Sequence, residues 1–327
     1  MCMNWILKKV LLTVTLIVAA SLSAQASESL RIVSAANPSG TWYIGMGAIG
    51  KVYTTMNPGT DVTMLPGGGA TNPPRVASRA ADLGVAENSI LTAFRNGTDP
   101  YRAPGKGLAT IINLQDRINY QIVTPVDSPV KSLRDLKTMK NLTIGVGSTG
   151  GSTDKIFRQI LKEYGITYDD IRSNGGMIVT NSFDDIANMV KDGQVDVFAW
   201  IGPGEAWFIV DISGSTPLKF LSVEPEIANR VAANMGIHVG TLPANFYKGA
   251  VGENITTFWD TNVIFVRDNM SEDTAYNLTK AIVEGKEDIA RANPSWVSID
   301  PAIAWKDNVF PLHPGAEKYY REKGFLK

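Results

Sequence analysis

A mostly parallel α/β fold in two lobes is what the 327 residues predict. From Ser29 onward, short Val- and Ile-rich runs alternate with longer segments of helical period, the pattern of strands feeding helices. The length beyond the N-terminal leader, about 300 residues, exceeds what one hydrophobic core usually holds. Thirty glycines and 17 prolines, many at junctions such as Pro66-Gly67-Gly68-Gly69, mark a loop-rich chain whose backbone approaches something closely.

The leader comes first. Lys8 and Lys9 precede an apolar run from Val10 to Ala20, and Ala24-Gln25-Ala26 ends in a small-x-small pattern. Together these are the three parts of a cleavable secretory signal, residues 1–26, with the mature chain starting at Ser27. The apolar run is shorter than the roughly 20 residues of a spanning helix. Cys2 lies ahead of it, so no lipid is expected at the mature N-terminus, and the mature protein is expected in the periplasm.

The strands then follow in order: Leu30–Val33, Asp61–Leu65, Ala81–Val85 and Leu108–Ile112. A second series runs Tyr120–Thr124, Asn141–Val146, Met177–Thr180, Val195–Ile201 and Leu218–Val223, which makes two sheets. Between them, Ser152–Tyr164 places Ile156, Phe157, Ile160, Leu161 and Tyr164 on one helical face, with Gly165 as the stop. Asn234–Asn254 reads as a polar, Gly-rich connection leading into a strong strand at Thr261–Val266 and a long helical segment, Ser271–Ala292. That return and the C-terminal helices are assigned to the first lobe.

Composition excludes several classes. With 31 basic and 32 acidic side chains, the chain has no broad basic field for nucleic acid. One cysteine rules out disulfides and thiolate metal sites, and two histidines make His-based metal or base chemistry improbable. No G-x-S-x-G elbow, Walker loop or H-E-x-x-H occurs, so the chain is read as a non-enzyme without cofactor or metal. His313, in Pro311-Leu312-His313-Pro314, reads as a capping residue at a rigid turn. Of two G-x-G-x-x-G matches, Gly45–Gly50 lies well after its strand, inside a helix expected from Trp42 to Met56 where small residues permit close packing, and Gly145–Gly150 lacks the acidic strand end that dinucleotide binding requires.

Four loops carry the binding chemistry. Asn37-Pro38-Ser39-Gly40-Thr41-Trp42-Tyr43 joins a strand to a helix and mixes hydroxyls with aromatics, which suits a small polar solute with an apolar body. Gly150, Gly151, Ser152 and Thr153 open a helix, where backbone N–H groups either receive an anion such as a carboxylate or are simply capped. Asn72 and Glu87 stand at or just beyond strand ends, where ligands of open α/β sheets lie. A buried Glu87 needs a ligand amine, a neighbouring basic side chain, or a proton taken up on desolvation. The ligand these groups favour pairs a carboxylate with an amine or hydroxyl: a zwitterionic amino acid first, an oxo- or hydroxy-acid second.

The leader, Ser39-Gly40-Thr41-Trp42-Tyr43, the Gly-rich exit to Asn72, Ala81-Asp82-Leu83-Gly84-Val85, Val130–Leu136, the Gly147–Thr153 loop and Pro311-Leu312-His313-Pro314-Gly315-Ala316-Glu317-Lys318-Tyr319-Tyr320 occur in one order. In that order they resemble the TAXI-type solute receptors of tripartite ATP-independent periplasmic (TRAP) transporters. The resemblance implies a type II periplasmic-binding-protein fold, with residues 27–124 and 259–327 as one lobe and 125–258 as the other. Hinges would fall near Val123–Val126 and Thr257–Asn262. It also implies a monomeric receptor that captures a small organic acid or amino acid and delivers it to an ion-gradient-driven membrane component. A sensor signalling to another membrane partner is the alternative. The ligand loops of that group fall on Ser39–Tyr43, Asn72, Glu87 with Asn88, Gly150–Thr153, and Trp200 to Gly204, including Gly202 and Pro203. Members of the group often carry Gln where Glu87 stands.

Overall fold

The computed structural model describes residues 29–327 apart from 36, 37, 39, 248–252 and 298. The leader, Asn37 and Ser39 therefore lie outside the described residues. Two sheets organise the chain, five strands in one and seven in the other.

The first half of the chain builds β1 (Ser29–Val33), α1 (Thr41–Met56), β2 (Asp61–Leu65), α2 (Asn72–Ala77), β3 (Leu83–Glu87), α3 (Asn88–Asn96) and β4 (Leu108–Asn113). β1 pairs in parallel with β2 and β3. β3 is buried at every position, which explains its continuous apolar reading. Asp82, just before β3, accepts hydrogen bonds from the guanidiniums of Arg31 and Arg267. Burial opposes its ionisation, but the bonds from Arg31 and the charges of both arginines more than offset that and hold its carboxyl below the usual range.

The second sheet is made by β5 (Ile118–Pro125), β6 (Thr143–Gly145), β7 (Met177–Val179), β8 (Val197–Pro203), β9 (Leu218–Phe220), β10 (His238–Leu242) and β11 (Ile255–Asp260). Helices α4 (Ser152–Glu163), α5 (Tyr168–Ser173), α6 (Phe183–Lys191), α7 (Trp207–Ser213) and α8 (Pro225–Met235) connect them. α4 buries Ile156, Phe157, Ile160 and Leu161, each contributing about 1.5–3 kcal/mol by leaving water. The chain then returns to the first sheet as β12 (Asn262–Arg267), followed by α9 (Glu272–Glu284), α10 (Lys286–Ala292) and α11 (Pro314–Glu322).

Three expectations are corrected. The sheets are mixed rather than mostly parallel: β12 runs antiparallel to β3 and β4, and β5 antiparallel to β8, β9 and β11. Each re-enters a sheet from the other lobe and so arrives against the local direction. The first crossover lies between β4 and β5, at 114–117, because β5 pairs with β8 from Ile118 onward. Residues 118–124 thus belong to the second sheet, and the hinge is not at Val123–Val126. The return crossover is Thr261, between β11 and β12, and Trp259 and Asp260, expected in the first lobe, pair with β5 in the second sheet. Lastly, Asn234–Asn254 is not all connection, since β10 pairs His238 with Trp259 and Leu242 with Ile255.

The C-terminal motif has a packing reason. The His313 Nδ1 accepts from the Gly315 N–H at the start of α11, while its Nε2 lies 3.0 Å from the Met270 carbonyl. Burial lowers its pKa, which keeps the ring neutral and fit for both bonds. At Gly315 a Cβ would stand 2.1 Å from the Glu272 carbonyl oxygen, so only glycine lets α11 lie against the start of α9.

Candidate functional site between the lobes

Strand ends from both sheets meet around the two crossovers. Glu87 ends β3, and its register partner on β12 is Asn262. Asn262 reaches back to the first crossover: its backbone N–H and side-chain amide donate to the two oxygens of Asp116. Across from them β8 ends at Gly202 and Pro203, paired with Asn119 and Ile118. A cavity of about 130 Å³ lies between, lined by Thr41, Trp42, Glu87, Asp116, Asn262 and Trp296 on one side and by Ile118 and Ile201–Pro203 on the other, with Ser295. That volume has room for a small solute rather than a single water.

The electrostatics are one-sided. Glu87 is 8% exposed. Its Oε1 accepts from the Ser152 hydroxyl at 3.0 Å, across the interlobe gap, and its Oε2 has no partner. Burial raises its pKa, the Asp116 charge adds to this, and the bond from Ser152 and the charge of Lys155 oppose it. Burial also raises Asp116, against the bonds from Asn262 and Trp296. A third carboxylate, Asp260, accepts from the backbone N–H groups of Ser89 and Thr261. Burial, with the Glu87 charge adding, pushes it up to about 7. None of the described residues lining the cavity is Lys, Arg or His. Among the described residues, no group of three acidic, His or Cys side chains is arranged to hold a metal ion.

A groove of about 280 Å³ opens beside this cavity, where Ser89, Thr92 and Asp99 face Ser152, Lys155 and Arg158. The Lys155 ammonium lies 3.9 Å from Asp99, an ion pair too long for a hydrogen bond. Burial lowers the lysine's pKa, with the Asp99 and Glu87 charges opposing.

Of the sequence-predicted site residues, Thr41, Trp42, Glu87, Gly202 and Pro203 line the cavity, and Ser152 lines the groove while bonding to Glu87. Gly40 is the N-cap of α1, and Tyr43, half-buried, lines neither space. Asn88 donates to the Asp307 carbonyl and leaves its Oδ1 buried without a partner. Asn72 is fully buried, its amide donating to the Ser34 and Val85 carbonyls and its Oδ1 accepting from Gly68 N–H. It braces the glycine loop, and both of its N–H donors are spent on the backbone. Trp200 is also corrected: at 1% exposure it packs against Phe198, Phe208, Phe220 and Tyr247 in the core of the second lobe.

The helix start at Gly150–Thr153 has no side-chain cap, and part of its N–H set is already used. Gly150 N–H donates to Asp154 and Gly151 N–H to the Ser148 carbonyl. Thr153 is 4% exposed. The carboxylates beside the first turn of α4 are those of Asp154 and Glu87, so the local dipole is already met by negative charge. Sequence reasoning missed Asp116, Asn262, Ser295 and Trp296. The available signal was the polar-rich stretch Asn113 to Asn119, broken only by Leu114 and Ile118, between two apolar strands.

Two α/β lobes, a chain that crosses twice between them and a cavity at the crossing define the periplasmic-binding-protein fold. The chain belongs to the NMT1-like family, whose model matches residues 33–324. It is similar in structure to MatC (Rpa3494) from Rhodopseudomonas palustris with bound malate, at 13% identity over 92% of this chain and 99% of that one, with a TM-score of 0.52. It is also similar to XAC2383 from Xanthomonas citri bound to chloride ion, at 12% identity over 90% and 95%, with a TM-score of 0.50. Among the described residues, no helix is long and apolar enough to cross a membrane.

Proposed function

We propose that this chain is an exported solute receptor that captures a small organic acid or amino acid between its lobes and delivers it to the membrane component of a TRAP transporter. The observation that carries the reading is the cavity at the two crossovers, lined from both sheets. A solute that touches both lobes favours the closed arrangement, and only that differential contact drives closure. The family and the fold support the receptor; the ordered TAXI-like motifs, ending in His313–Tyr320, support the transporter class.

Two measurements test this. N-terminal sequencing of the exported protein is expected to begin at Ser27, and Met1 on the exported chain would contradict export by a cleaved leader. Deleting the chain is expected to abolish uptake of the solute that co-purifies with it. Unchanged uptake would overturn the transport role.

A further inference from the structure

We propose that the interlobe cavity selects solutes by an ammonium group, taken by Glu87 Oε2 together with Asn262 Oδ1, with the Trp42 and Trp296 rings as walls. The proposal deepens the receptor reading and rests on it.

Its basis is an imbalance of donors and acceptors. Both named oxygens belong to cavity-lining side chains that are more than nine-tenths buried, and neither has a hydrogen-bond partner. Leaving a buried acceptor unmet costs about 1–3 kcal/mol, more when it is charged. Asp116 stands on the same wall, its two oxygens already met by Asn262, and adds negative charge without offering a donor. No cationic side chain among the described residues lines the space; the nearest cation named against Glu87 is Lys155 in the neighbouring groove, whose ammonium lies 3.9 Å from Asp99, makes no hydrogen bond and acts on Glu87 through its charge alone. A carboxylate placed here would face two carboxylates; an ammonium would supply the missing charge and up to three N–H donors. Indole faces add cation–π attraction.

Glu87 also links the solute to closure. Its Oε1 already accepts from Ser152 of the opposite lobe. An ammonium at Oε2 holds the carboxylate ionised, and an ionised acceptor makes the stronger bond to Ser152. A plain carboxylic acid gives no such gain. At the helix start read from the sequence as suiting a ligand carboxylate, the Ser152 hydroxyl donates to Glu87 itself.

Calorimetry with matched trios on the mature chain tests this: alanine, ethylamine and propionate, and leucine, isoamylamine and 4-methylpentanoate. In at least one trio the amine-bearing members are expected to bind, and the deaminated acid to bind at least about tenfold more weakly, as expected of a charge-assisted contact. Glu87→Gln is expected to bring amine and acid within about twofold of each other, the charge being gone while the shape is kept. Gly69→Ala is the second variant, because its Cβ would stand 2.8 Å from Glu87 Oε2 and displace that oxygen; it too is expected to lose the amine preference. An acid that binds as tightly as its amine, a preference that survives both variants, or a co-purifying solute without an amine overturns the selector and leaves the receptor standing. Failure of every probe together with no co-purifying solute overturns both.

Discussion

Glu87 is paired on one oxygen and bare on the other, and its protonation is therefore coupled to folding. Its pKa rises from an ordinary 4.5 through burial, with Asp116 adding and the Ser152 bond and Lys155 opposing; Asp260 lies in the same field. The folded chain thus holds more protons than the unfolded chain above the ordinary carboxylate range, and this contribution to stability falls as pH rises through the folded-state pKa. Wild type is expected to lose stability relative to Glu87→Gln as pH rises above about 4.5, by at most about 1.4 kcal/mol per pH unit. Urea unfolding of both proteins across that range reads the difference, in which contributions common to both, such as His313, largely cancel. A constant difference would mean that Glu87 keeps its ordinary pKa. Glu87 was legible in the sequence because it ends a clear strand. Asp116 and Asn262 were not, because their importance depends on where the chain changes lobes. Trp200 misled because one aromatic at a strand end reads the same whether it faces a cleft or a core.

Helix α1 shows how an element carries the site. It delivers Thr41 and Trp42 to the cavity from its first turn, and Gly45 one turn later lets the Trp296 ring lie against the helix. A Cβ at Gly45 would fall 2.3 Å from that ring. Trp296 is 1% exposed, lines the cavity and bonds to Asp116. Gly45→Ala is therefore expected to destabilise the fold by about 1–3 kcal/mol, the usual cost of overpacking, and to weaken solute binding as Trp296 shifts. Thermal unfolding and calorimetry check the two effects; an unchanged Tm would show that the ring is free to move. The glycine signals in the sequence read Gly45–Gly50 correctly as close packing within a helix. β10 stayed hidden for a related reason: Gly240 interrupts its pattern, and a Cβ there would meet the Trp259 ring at 2.8 Å. The strand has to lack a side chain at that point for its partner's indole to fit.

At the scale of the whole molecule, the contacts that join the lobes among the described residues include Glu87 with Ser152, Ser89 with Asp260, and Asp99 with Lys155. The contacts to α4 come from the end of β3 (Glu87) and from the loop after α3 (Asp99). Alternating strands and helices made the two-lobe plan readable, while the mixed strand directions were not, since direction follows from the crossovers and leaves no mark in periodicity. The central claim is that a small solute sits in the cavity between the lobes, touching both. The most direct test is native mass spectrometry of the as-purified chain beside two variants that disturb the cavity from opposite sides. Gly69→Ala displaces Glu87 in the first lobe, and Gly202→Leu fills space in the second, where a Cβ meets nothing nearer than 4.0 Å. A small-molecule adduct on wild type that is absent from both folded variants is the predicted result. No adduct on wild type, or an adduct retained equally by both variants, would contradict it.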